Sequence, residues 1–132
     1  MTSTTTDRPV RLWQRPGWGS AIVEAQLAWY GMPFELVEVG DLLRDERARH
    51  GVAAVNPLAQ VPVIELASGE VMTESAAITL HLADLARSDD LVPAPDAPER
   101  AAFLRWLVFL VANIYPTFTY ADVPGRFVPD PG

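Results

Sequence analysis

The chain has 132 residues, 49% of them hydrophobic, which suits one ordinary domain with a buried core. With 10 basic and 17 acidic residues the net charge is −7, and no basic stripe of the kind that binds nucleic acid is visible. Zero cysteines exclude a disulfide and any thiol of the chain's own, so thiol chemistry here requires a thiol brought by a ligand.

In chain order, MTSTTTDRPV is polar and lacks the apolar stretch of a secretory signal, and residues 1–8 are expected to form a disordered tail. Val10 to Trp13 reads as a short strand. Pro16-Gly17-Trp18-Gly19 is a loop, and Ser20 stands where a helix N-cap belongs, with Glu24 in the first turn. The helix is expected over Ala21–Tyr30, closed by Gly31. Phe34 to Val39 alternates apolar and acidic residues, as a half-buried strand does. The mixed-charge cluster Asp41–His50 reads as a solvated helix face, with a helix between Leu42 and His50. Residues 61–66, VPVIEL, are a third strand, Ala67–Glu70 a turn, and Val71-Met72 the start of a fourth strand. Ala76, Ile78, Leu82 and Leu85 then mark a helix.

SDDLVPAPDAP, residues 88–98, is rich in proline and aspartate and reads as a linker. From Glu99 the sequence is helical again until Pro116, which is expected to bend or end the helix. The longest charge-free run, Trp106–Ala121, is shorter than the roughly 20 apolar residues of a membrane span, so a soluble, cytoplasmic protein without a membrane partner is expected. His50 and His81 have no cysteine, histidine or carboxylate at ligand spacing, so no metal is expected. No GxGxxG, P-loop or Ser-His-Asp signature appears.

The succession βαβ, α, ββ, α is that of a thioredoxin-like domain, here followed by a truncated all-α segment; the fold class is α/β. Three segments are at 9–87, 88–98 and 99–132. A thioredoxin uses a CxxC pair, which this chain lacks, so the fold in this version must hold a thiol instead of supplying one.

The stretch Asn56–Leu85, NPLAQVPVIELASGEVMTESAAITLHLADL, resembles the glutathione-binding half of a glutathione S-transferase. Two parts of it carry the resemblance. One is Gln60-Val61-Pro62. In the family the matching proline is cis, and the residue before it offers its backbone N–H and C=O to the cysteinyl part of glutathione. Val61 takes that role by resemblance, and Gln60 reaches the glycyl or γ-glutamyl end. Without the resemblance, Val61-Pro62 is a plain strand start, where a proline's missing N–H costs no ladder bond.

The other part is Thr73-Glu74-Ser75-Ala76. A helix begins here, and its first amides are unsatisfied donors at the positive end of the dipole, a natural place for a carboxylate. The resemblance gives Ser75 a hydroxyl contact to that carboxylate and pairs Glu74 with the γ-glutamyl amino group. On its own, a serine before an apolar helix is a cap.

Pro16 to Gly31 also aligns without a gap with the bacterial cysteine-type transferases, whose loop reads Pro-Gly-x-Cys-Ser. The cysteine position is Gly19 here. The nearest hydroxyl is Ser20, and in serine-type relatives a loop serine donates to the glutathione sulfur. A thiol with pKa near 8.5 is only a few per cent ionised at neutral pH, so such a donor matters. Trp18 and Trp13 stand where they would flank the acceptor, Trp13 reading also as core. Residues 101–118 resemble the first helix of the family's helical second domain. Tyr115 falls where relatives place a polar pocket residue, although by its residues alone it reads as a packed aromatic.

The resemblance implies glutathione as co-substrate, its thiol conjugated to a small apolar electrophile by a homodimer. It equally allows a non-catalytic module of the same fold, used for binding or assembly. The resemblance covers residues 10–120, while the family's second domain is longer than the helical segment here.

Overall fold

The computed structural model describes residues 8–129. Most of the expected disordered tail, residues 1–7, lies outside the described residues, as do residues 130–132. The chain divides into two compact units, one ending at Leu91 and the other beginning at Val92.

The first unit runs β1 (Val10–Gln14), α1 (Ala21–Trp29), β2 (Phe34–Glu38), α2 (Glu46–Ala53), β3 (Val63–Glu65), β4 (Val71–Thr73) and α3 (Ser75–Ala86). This is the expected βαβ-α-ββα order of a thioredoxin-like domain. The sheet has the order β2-β1-β3-β4, with β1 parallel to β2 and antiparallel to β3, and β3 antiparallel to β4.

Alternation along the central strands divides the core between the two faces of the sheet. Val10 and Leu12 of β1 join Ile64 of β3, Val23 and Leu27 of α1, and Ile78 and Leu82 of α3 in one cluster. Trp13 and Val63 point the other way and pack with Leu42 and with Val52 of α2. Trp13 is therefore a core residue, 8% exposed.

One polar strut crosses the first cluster. Gln26 of α1 donates from Nε2 to the Thr79 carbonyl of α3 at 2.7 Å. Both residues are buried, and Gln26 Oε1 and Thr79 Oγ1 have no partner among the described residues.

Helix α1 ends as its glycine predicts. Gly31 has φ 63°, its N–H donates to the Ala28 carbonyl at 3.1 Å, and Met32 N–H donates to the Leu27 carbonyl at 3.1 Å. This double closure is a Schellman motif, for which a positive φ makes glycine the natural residue.

Helix α2 corrects the expected Leu42–His50: it begins four residues later and ends at Ala53. Asp41 and Asp45 compete for the same role. Asp41 Oδ1 accepts from the amides of Leu43 and Arg44 at 2.9 and 3.1 Å, making a separate turn of residues 41–44. Asp45, extended at φ −113° and ψ 108°, then caps α2 by accepting from the Arg47 and Ala48 amides. Asp45→Ala is expected to cost about 1 kcal/mol through loss of that cap, read as a lower urea midpoint with an unchanged m-value. A midpoint equal to wild type would contradict the cap assignment.

The second unit contains α4 (Arg100–Phe109), a π-helical turn at Leu110–Ile114, α5 (Tyr115–Asp122) and a 3₁₀ turn at Pro124–Arg126. Of the two outcomes expected at Pro116, a bend or an end, the helix does not end there. The π turn precedes it, so Pro116 lies in the first turn of α5, where the missing N–H is tolerated. Arg100–Asp122 thus form one helical run of 23 residues, long and apolar enough by length and composition to cross a membrane, which the charge-free stretch alone was not. None of its apolar window is buried. Trp106, Phe109, Leu110 and Phe118 are among its exposed side chains.

Candidate functional site

Strand register brings the chemistry-bearing segments of the first unit to one end of the sheet. Trp13 pairs with Val63, and Val63 pairs with Thr73. The loop that follows β1, the Val61-Pro62 dipeptide that precedes β3 and the Glu74-Ser75 dipeptide that follows β4 therefore lie side by side. Adjacent strands are about 4.8 Å apart, so the outer two of these segments are about 10 Å apart.

The Val61–Pro62 peptide is cis, as the resemblance implies, and Pro62 is buried while Val61 is half-buried and Gln60 exposed. Glu74 sits immediately before α3 at φ 70° and ψ 104°, an unusual conformation for a residue with a side chain. Its carbonyl accepts the Ile78 amide at 2.9 Å, the first bond of the helix. Its side chain makes no capping bond and is exposed. Ser75 opens α3 and is half-buried. Among the described residues, the side chains of Gln60, Glu74 and Ser75 make no hydrogen bond.

The loop from Arg15 to Ser20 is held from within. Ser20 occupies the cap position of α1, but in helical geometry and without a capping bond. Its hydroxyl instead accepts from the Arg15 amide at 3.2 Å and donates to the Arg15 carbonyl at 3.4 Å. The expected N-cap is thus corrected: the side chain reaches back across the loop to the end of β1 because both Arg15 backbone groups lie within its reach. Ser20 is 0% exposed. To serve a sulfur, this hydroxyl must leave Arg15.

Trp18, in the same loop, packs against the second core cluster, with the Arg15 guanidinium 5.3 Å from its ring centroid. Arg15 also approaches Asp41 at 3.7 Å, and Arg44 approaches the same carboxylate at 3.5 Å. The Leu43 amide first, and then the Arg44 amide and both guanidinium groups, hold the Asp41 carboxyl below the usual carboxylate range despite its partial desolvation.

Sequence reading passed over Asn56, which is 5% exposed. Its Oδ1 accepts from the Leu58 amide at 3.1 Å, and its Nδ2 donates to the Gln60 carbonyl at 3.0 Å. The signal available was the Asn-Pro pair, a common turn opener.

Tyr115 belongs to the second unit, at the start of α5. It is 47% exposed, and its ring meets Phe118 edge-on at 6.2 Å. His50 and His81 join no metal-ligand cluster among the described residues.

Residues 20–85 match the family model for the N-terminal domain of glutathione S-transferases. Over 121 residues the chain is 44% identical to an uncharacterized GST-like protein, YncG, of Escherichia coli K12, covering 92% of this chain and 58% of that protein. It is 31% identical over 125 residues to the glutathione S-transferase GstA of Escherichia coli O157:H7, covering 91% of this chain and 61% of the relative. Among solved structures, a sphingomonad glutathione S-transferase complexed with glutathione superposes with a TM-score of 0.71 at 32% identity, covering 92% of this chain and 58% of that one. The chain thus spans about three fifths of the length of the relatives it matches. The matched residues contain the cis-proline turn, the Glu74-Ser75 helix start and the first helix, and on that match the chain belongs to the glutathione S-transferase family.

Proposed function

We propose that the chain binds glutathione and supports conjugation of its thiol to a small apolar electrophile. The observation that carries this reading is the alignment of three segments across two strand spacings, about 10 Å. An extended tripeptide spans a similar distance, about 3.3–3.6 Å per residue. In this reading Val61 binds the cysteinyl backbone beside Pro62. Gln60 reaches one end of the tripeptide, while Glu74 and Ser75 hold the γ-glutamyl group at the α3 N-terminus. Ser20 is the sulfur-side donor and Tyr115 an acceptor-side contact. The enzyme's contribution is to favour the thiolate and hold it near the electrophile. Residues 9–87 form the glutathione-binding domain, 88–98 a linker, and 99–132 the opening part of a helical domain. The working form is a cytoplasmic homodimer, which the exposed apolar residues of the helical run support.

The buried hydroxyl of Ser20 and the absence of a side chain at Gly19 favour a second reading, a non-catalytic glutathione-binding module. Retention on glutathione-agarose followed by a conjugation assay separates the two. Retention with turnover supports the transferase, and retention without turnover supports the module. Ser75→Ala is expected to weaken retention in both. A wild-type chain that shows no affinity for glutathione would remove both readings.

A further inference from the structure

We propose that Asn56 is a positioning residue for glutathione, one that aims the Val61 N–H at the ligand by holding the other side of the same peptide group. The proposal rests on the glutathione-binding reading of Val61.

The Gln60 carbonyl and the Val61 amide belong to one peptide unit, which is planar and rigid. In a trans unit the N–H and the C=O point to opposite sides. Fixing the carbonyl therefore fixes the direction of the N–H. Asn56 Nδ2 donates to that carbonyl at 3.0 Å. The same bond polarises the peptide and makes its N–H a better donor, as hydrogen bonds in chains do.

Asn56 is itself held. Its N–H donates to the Val52 carbonyl at 2.8 Å, which attaches it to the end of α2. Its carbonyl accepts the Ala59 amide at 2.8 Å, and its Oδ1 accepts the Leu58 amide at 3.1 Å. The turn so formed keeps Ala59 at φ 51°, a conformation a non-glycine residue holds only where its surroundings impose it. The amide orientation is settled by its neighbours. Reversed, Nδ2 would face the Leu58 N–H and Oδ1 the Gln60 carbonyl, like against like at both ends. A side chain that accepts at one end and donates at the other is required, and asparagine is the residue of this length that provides it.

Asn56→Asp tests the donor alone, because a carboxylate still accepts from the Leu58 amide but sets an oxygen against the Gln60 carbonyl. Binding of reduced glutathione is measured by calorimetry well below the melting temperature of the variant, so that lost stability alone leaves the result unmoved. The affinity is expected to fall at least about tenfold, the scale of one hydrogen bond to a fixed donor. A folded Asn56→Asp protein that binds within about twofold of wild type overturns the proposal.

Should the variant not fold, the wild-type protein decides by NMR. On saturation with reduced glutathione, the Asn56 side-chain amide and the Val61 backbone amide are expected to shift together. A shift at Val61 with an unmoved Asn56 side chain overturns the role of Asn56 and leaves glutathione binding intact. No binding by the wild-type chain removes the glutathione-binding reading and the role of Asn56 with it.

Discussion

Leu82→Ala is expected to lower stability by about 2–5 kcal/mol, the largest loss from any single truncation considered. Leu82 is 0% exposed and belongs to the cluster that joins α3 to β1, β3 and α1. Truncation removes buried methyl groups and leaves a cavity, because strands pinned by their ladders and helices pinned by their neighbours cannot close in fully. Domains of this size are stable by only about 5–15 kcal/mol, so the loss is a large fraction of the total. Equilibrium urea unfolding measures it. A change below about 1 kcal/mol would mean that this face of the sheet is far more loosely packed than its burial indicates.

The second large effect separates stability from binding. Glu74 is held at φ 70° and ψ 104°. A residue with a side chain in such a region costs of the order of 1–3 kcal/mol, which glycine avoids. Glycine also loses more backbone freedom on folding, which offsets up to about 1 kcal/mol of the gain. Glu74→Gly is therefore expected to leave the melting temperature unchanged or raise it. The same substitution removes the carboxylate assigned to the γ-glutamyl amino group. A charge-assisted hydrogen bond contributes about 1.5–3 kcal/mol, so affinity for glutathione is expected to fall by roughly 10- to 150-fold. Calorimetry of binding alongside thermal unfolding reads both quantities. A variant that melts lower and binds normally would contradict the strain and the ligand role together.

Much of the fold was legible because it rests on local patterns. The βαβ start follows from the mixed apolar and acidic residues of Phe34–Val39, although Leu36 is exposed, and from Gly31 after a helical run. The helix over Ser75–Ala86 follows from the spacing of Ile78 and Leu82. The cis proline and the helix start at Glu74-Ser75 were legible only through family resemblance, since spacing alone allows a plain strand and a plain cap. Their closeness in space became visible only with the register, in which Val63 faces Thr73.

The misses have local physical causes. Two aspartates four residues apart each suit a cap, and the sequence does not say that Asp41 takes a turn while Asp45 takes the helix. Ser20 has the chemistry of an N-cap, but the Arg15 backbone lies within its reach and captures the hydroxyl. At Pro116 a bend and an end were both expected, and the π turn just ahead of it, which lets the helical run continue, is not announced by the sequence. The Asn56-Pro57 pair signals only a turn; the two side-chain bonds of Asn56 depend on that turn's shape, with Ala59 at positive φ, which no short pattern encodes.

The strut from Gln26 to Thr79 has a consequence for how a ligand meets this domain. It joins the two helices whose first turns border the site, α1 behind the Arg15–Ser20 loop and α3 behind Glu74-Ser75. Moving those first turns apart or together would break a 2.7 Å hydrogen bond inside the core and leave Gln26 Nε2 with only its 3.5 Å contact to the Tyr30 hydroxyl. The width of the gap is therefore set by folding, before any ligand arrives. A peptide of matching length enters a frame already at its size, and little of its binding free energy is spent on reshaping the protein.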